Sequence, residues 1–162
     1  MPELLAADAG PLIALARIEG LAWLPVLFER VFVADSVVAE RLAEPEREEH
    51  AAIRHALAQG WLQRVAHRPV PNFHEGLGAG ESETLHCAIE RGCRVLLDDR
   101  LARRVALQLG LPVVGTLGVL IAAQRRGLLE NLRPSLQRLR ASGYFLSDAV
   151  LAEALRLAGE TP

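Results

Sequence analysis

The sequence predicts an α/β fold, an open sheet covered by helices on both faces. Three observations lead there. Short apolar runs alternate with helix-period segments along the chain. Several runs, such as VFVA at 31–34 and VLL at 95–97, are apolar without interruption, as strands buried on both faces are. Glycine, proline, aspartate and serine fall between the runs, where connections belong.

Residues 3–7 (ELLAA) read as the first strand. LIALARI (12–18) and LAWLPVLFER (21–30) have helical period and are separated by Gly20. VFVAD (31–35) is a second strand, bounded by Asp35-Ser36, residue types that cap helices. A short helix over 37–44 follows; Pro45 ends it and opens the next, 46–59, which stops at Gly60. WLQRVA (61–66) alternates in the manner of a strand near a sheet edge, and 67–80, rich in Pro and Gly, reads as a loop. Then come a helix over 81–92, an apolar strand over 94–99 ending in two aspartates, a helix over 100–110 stopped by Gly110, a strand over 111–115 and a helix over 116–127. In the tail, Leu132, Leu136 and Leu139 keep a helical period, and Ser147-Asp148 opens a last helix. The expected organisation is a domain over 1–127 with a C-terminal helical extension over 128–162 packed on it.

Composition narrows the function classes. At 162 residues the chain can bury roughly 70% of its unfolded surface, and its 51% apolar content excludes a disordered chain. No apolar run reaches the length of a membrane span, and the N-terminus lacks the basic region of a signal peptide, so a cytoplasmic protein with no membrane partner is expected. All 18 basic residues are arginine, which removes every chemistry that needs a lysine: P-loops, Schiff bases, Ser-Lys hydrolysis and receiver-type phosphotransfer. Cys87 and Cys93 have neither redox nor zinc spacing and read as buried thiols, and the five histidines show no metal-ligand spacing. GLGAG (76–80) follows a loop rather than a strand and reads as a connection, not a dinucleotide fingerprint.

The acidic residues carry the chemistry. Open α/β sheets collect functional groups beyond the carboxyl ends of their strands. Asp8 lies just past the first strand, Asp98 and Asp99 just past the fourth, Glu40 one turn into the helix after the second, and Glu81 at the start of the helix over 81–92. Glu81 shares a helix face with Leu85 and Ala88, which aims it inward; Glu83 shares one with Cys87 and Glu90, which aims it outward. Taken singly, each acid has an ordinary explanation. Glu81 suits the helix dipole, Glu40 is one of a run of solvated acids, and Asp98-Asp99 can cap the helix at 100. Taken together, they would crowd like charges that stay ionised only with cations. An all-oxygen ligand set suits Mg²⁺ or Mn²⁺.

With those residues in view, the chain resembles a PIN domain, and within that family a prokaryotic branch predicted to bind nucleic acid and related to VapC-like toxins. The resemblance covers nearly the whole chain. It rests on DAGPLIALARI (8–18), DSVVAERL (35–42), GAGESETLHCAIERG (78–92), VLLDDRLARRVALQLGLPVVGTLGVL (95–120) and LRASGYFLSDAVLAEAL (139–155). It implies a three-layer α/β/α sandwich with a mostly parallel sheet of about five strands in order 3-2-1-4-5. It also implies a Mg²⁺- or Mn²⁺-dependent endoribonuclease, the toxin of a toxin–antitoxin pair in many relatives, with RNA as substrate and a small antitoxin as partner. The motif match carries the metal-binding acids to Asp8, Glu40, Glu81 and Asp99, with Asp98 as alternate for the last and Glu83 for the third.

Arg100, closest to those acids, and Arg103 are the candidates for RNA backbone contact, and a solvated helix face explains either as well. Thr116 is a candidate hydroxyl near the site or a helix cap. Two departures stand out: Gly10 replaces the Ser or Thr common two residues after the first aspartate, and Glu81 replaces the aspartate usual in the toxins. Gly10 favours an alternative function, a catalytically degenerate PIN-like module that binds RNA or a protein partner. The apolar C-terminal helices are compatible both with a tail packed on its own domain and with a homodimer.

Overall fold

Period-two alternation along the strands builds two cores from one sheet. The computed structural model describes residues 3–41, 47–66 and 71–162. The strands are β1 (Leu4–Ala7), β2 (Arg30–Ala34), β3 (Leu62–Val65), β4 (Arg94–Leu96) and β5 (Val113–Val114), in the order β3-β2-β1-β4-β5. All four neighbouring pairs are parallel. Leu5, Ala7, Val31, Val33 and Leu96 face one side, while Ala6, Phe32, Val95 and Leu97 face the other. The result is the three-layer sandwich and strand order that the sequence resemblance implies.

The helices divide between the two faces. On the first lie α1 (Ala9–Arg17), α4 (Glu48–Gln59), α7 (Thr116–Arg125), α8 (Arg133–Ala141) and α9 (Asp148–Leu157), contributing Leu12, Leu15, Ile53, Leu120, Leu136 and Leu155 to one cluster. On the second lie α5 (Ala79–Arg91) and α6 (Arg100–Gln108), which bury Leu85, Ala88, Ala102, Val105 and Ala106. The short helices α2 (Leu24–Leu27) and α3 (Asp35–Arg41) flank β2. No helix among the described residues is long and apolar enough to cross a membrane.

Several boundaries differ from the sequence expectation. The helix expected over 21–30 is a 3₁₀ turn, Leu21–Trp23, followed by one turn of α2 in which Pro25 occupies the first positions. The helix expected from residue 81 begins at Ala79. Gly78 is its N-cap, and Glu81 reaches back to accept from the Gly78 backbone N–H at 2.9 Å. GLGAG therefore belongs partly to a helix terminus. The expected end of the third helix at Pro45, and residues 67–70 of the expected loop, fall outside the described residues.

Parallel pairing decides where chemistry collects. Every strand ends at the same sheet edge, so the residues that follow β1, β2 and β4 emerge together. The Asp8 N–H donates to Leu96 O at 3.1 Å, which extends the β1–β4 ladder to the first acid.

Candidate functional site

One cleft of about 270 Å³ lies beyond this edge. It is lined by Asp8, Gly10, Glu40, Arg41, Glu81, Asp98 and Asp99, with Val37 and the backbone of residues 78–80. The four acids of the motif match and their alternate Asp98 thus come together from four separated parts of the chain. Asp8 follows β1, Glu40 is carried on α3, Glu81 is in the first turn of α5, and Asp98 and Asp99 join β4 to α6.

A glycine sets the approach of α3 to α5. A Cβ placed on Gly80 would come within 2.9 Å of Val37 Cγ2, so a larger residue would force Val37 or one of the two helices to shift. That contact brings Glu40 and Glu81 to one cleft. Asp35, also at a strand end, is held elsewhere by an ion pair with Arg64, whose Nε donates to Asp35 Oδ1 at 2.6 Å.

Burial dominates the electrostatics of Asp8. It raises the carboxyl from 3.8 to about 6; the Ala9 backbone N–H and the Arg41 guanidinium oppose the rise, and the charges of Glu81 and Asp98 add to it. The side chain lies at the N-cap position of α1 but makes no cap hydrogen bond.

The other acids are partly engaged by local donors. Glu81 Oε2 accepts from Gly78 N–H. Asp98 Oδ1 accepts from the Thr116 N–H at 2.8 Å, and its Oδ2 accepts from the Thr116 hydroxyl at 2.6 Å. Asp99 Oδ2 accepts from Ala102 N–H at 2.9 Å, capping α6. Among the described residues no group of three or more His, Cys, Asp or Glu side chains is arranged to hold a metal ion. The donor set has the hard-oxygen chemistry of Mg²⁺ or Mn²⁺.

A PIN-domain family model matches residues 4–160. The chain belongs to the PIN-domain family. Among solved structures, this PIN domain is similar to a PilT N-terminus domain protein from the hyperthermophilic archaeon Sulfolobus solfataricus P2, at 16% identity and a TM-score of 0.49, covering 72% of this chain and 89% of that one. No curated protein matches the chain.

The remaining predicted residues of this PIN domain are placed as follows. Arg100 is exposed at the start of α6, beside Asp99. Arg103 turns inward, and its Nη1 donates to Leu97 O at 2.8 Å. Thr116 is fully buried, with its hydroxyl on Asp98, and the N-cap of α7 is Gly115.

Glu83 departs from its expected outward position. It is buried, because the face of α5 that it shares with Cys87 is covered by Ala34 and the end of β3 at Val65 and Ala66, away from the acidic cleft. Cys87 and Cys93 are free and buried. Two contributors were not anticipated. One is Gly80, whose signal is a small residue one position before the first acid of a helix. The other is Tyr144, whose place beside Asp98 carries no local signal in the sequence.

Proposed function

We propose that this PIN domain is a binding module whose acidic cleft takes a cationic segment of a protein partner, rather than a hydrolase with a ready-made metal centre. One observation carries the reading: five carboxylates line the cleft, three of them accept hydrogen bonds from local donors, and no three side chains form a metal-ligand set among the described residues. Among the described residues the cleft holds five acids and one guanidinium, a lining that attracts positive charge and repels phosphate. A small antitoxin with a basic segment is a partner of this kind. Gly10, which leaves the cleft without the usual hydroxyl, points the same way.

A second reading, the Mg²⁺- or Mn²⁺-dependent endoribonuclease, is favoured by Asp8. A carboxyl raised to about 6 by burial and by two neighbouring acids is one that a bound cation would relieve. On that reading Arg100 at the rim is the RNA contact, and Asp8, Glu40, Glu81 and Asp99 are the acids involved.

Two assays on the full chain separate them. In the first, single-stranded and structured RNA are incubated with Mn²⁺ and either wild type or Asp8→Asn. In the second, an oligo-arginine peptide is titrated at low and at physiological salt. The binding reading expects equally intact RNA with both proteins. It also expects salt-sensitive peptide binding, weakened roughly tenfold in the double variant Asp8→Asn/Glu40→Gln, as for the loss of close charge pairs. Cleavage by wild type that Asp8→Asn abolishes would replace it with the nuclease reading.

A further inference from the structure

Asp98 belongs to two walls at once. One is the wall of the acidic cleft. The other bounds a second cavity of about 540 Å³, lined by Arg103, Val114, Leu117, Tyr144 and Val150. Both carboxylate oxygens of Asp98 are engaged, by the backbone N–H and the hydroxyl of Thr116 at 2.8 and 2.6 Å. Thr116 is fully buried and opens α7, so a negative charge at its N–H also suits the positive end of that helix. The approach is tight. A Cβ on Gly115 would lie 3.1 Å from Asp98 Oδ1 and 2.7 Å from Arg103 Nη1. Arg103 closes the joint by donating to Leu97 O, one residue before Asp98. The Tyr144 phenol lies in the same cluster; burial, then the charge and hydrogen-bonding reach of Asp98, make it hold its proton well above the ordinary tyrosine range.

Four parts of the chain therefore meet around Asp98: the end of β4, the first turns of α6, the start of α7, and the segment between α8 and α9. With each oxygen held by Thr116, the Asp98 carboxylate is fixed in place and has half of its lone pairs already used. Its neighbour Asp99 is exposed, with one oxygen on Ala102 N–H. Fixing Asp98 fixes the backbone that carries Asp99 and Arg100 to the cleft rim.

We propose that Asp98 is a positioning residue, a joint that ties α7 and the C-terminal segment at Tyr144 to the rim of the acidic cleft, and that it does not contact the cleft's occupant. This reverses the sequence expectation of Asp98 as an alternate metal ligand. It rests on the binding reading above only where peptide affinity is measured.

The test compares Asp98→Asn with Asp98→Ala in the full chain. Both remove the charge, so any difference between them reports placement rather than electrostatics. Asparagine can still accept from the Thr116 N–H and can donate to the Thr116 hydroxyl; alanine can do neither. By hydrogen exchange, Asp98→Ala is expected to speed exchange of the Thr116 amide and of amides 144–146 by roughly tenfold or more, and Asp98→Asn by far less, in line with the cost of stranding a buried donor. Thr116→Val, which keeps the backbone N–H bond, is expected to fall between them. It supplies the comparison should the alanine variant fail to fold.

Oligo-arginine affinity is expected to follow the same order, with Asp98→Asn retaining more than Asp98→Ala. Equal behaviour of the two variants in exchange, whether both unchanged or both accelerated, overturns the proposal. Absence of peptide binding by wild type overturns the binding reading instead and leaves the exchange comparison to decide the role of Asp98.

Discussion

Asp8→Asn makes the protein more stable at pH 7, by about 2–3 kcal/mol, which at this chain length is an upward shift of roughly 4–12 °C in melting temperature. The reason is linkage. The Asp8 carboxyl is raised from 3.8 to about 6 in the fold, chiefly by burial. The folded state therefore holds this proton more tightly than the unfolded state does. Below about pH 4 the group is protonated in both states and costs nothing. As pH rises from about 4 to about 6, the unfolded chain ionises freely while the folded one resists, and stability falls. Above about 6 the whole penalty is present. Asparagine is neutral at every pH, has the same shape and keeps an acceptor for the Ala9 N–H. Melting curves of the two proteins from pH 4 to 8 check this: the gap opens through that window and then stays constant. A variant no more stable than wild type at pH 7, or a gap independent of pH, would contradict the assigned burial of Asp8. Functional sites characteristically hold such unfavourable groups, so a stabilising change at Asp8 is itself a mark of a site.

Leu96→Ala has the largest destabilising effect expected outside the cleft, about 3–4 kcal/mol. Leu96 is fully buried in the first core cluster. It pairs with Ala7 of β1 on one side and Val114 of β5 on the other, so its side chain has little room to be replaced by collapse of its neighbours. Its carbonyl accepts from the Asp8 N–H, and its strand delivers Asp98 and Asp99. A cavity at this point loosens the sheet where three of the five acids are anchored. Urea unfolding measures it: the midpoint should fall while the slope stays constant. A loss below about 1 kcal/mol would show that the site repacks and that β4 is not the rigid support assigned to it.

What was legible in the sequence follows from periodicity. Once the uninterrupted apolar runs VFVA and VLL are strands, successive side chains point to opposite faces, and β–α alternation with short connections leaves parallel pairing as the natural arrangement. Acids placed after β1 and β4 then had to share an edge once those strands were neighbours, as they are. Hydrogen-bond choices among side chains were not legible. Helical period aimed Glu81 inward, and it does line the cleft. Period could not show its carboxylate folded back on Gly78, because that depends on where the helix starts, two residues earlier than expected.

Glu83 was misplaced for a related reason. A mixed helix face reads as wet, but a strand end from well upstream, at Val65 and Ala66, covers it. The bonds from Thr116 to Asp98 likewise join residues 18 apart across β5, and Tyr144 comes to them from a separate segment. Such contacts are set by packing of whole elements rather than by local pattern.

Among the described residues, five carboxylates line the cleft of this PIN domain and no three of them form a metal-ligand set, and the binding reading proposed for the cleft depends on that. Calorimetric titration of the full chain with Mn²⁺ near neutral pH, wild type beside Asp8→Asn, tests it most directly. No saturable heat is expected in either protein, since no three of these side chains form a metal-ligand set among the described residues. Saturable Mn²⁺ binding by wild type that disappears in Asp8→Asn would contradict it.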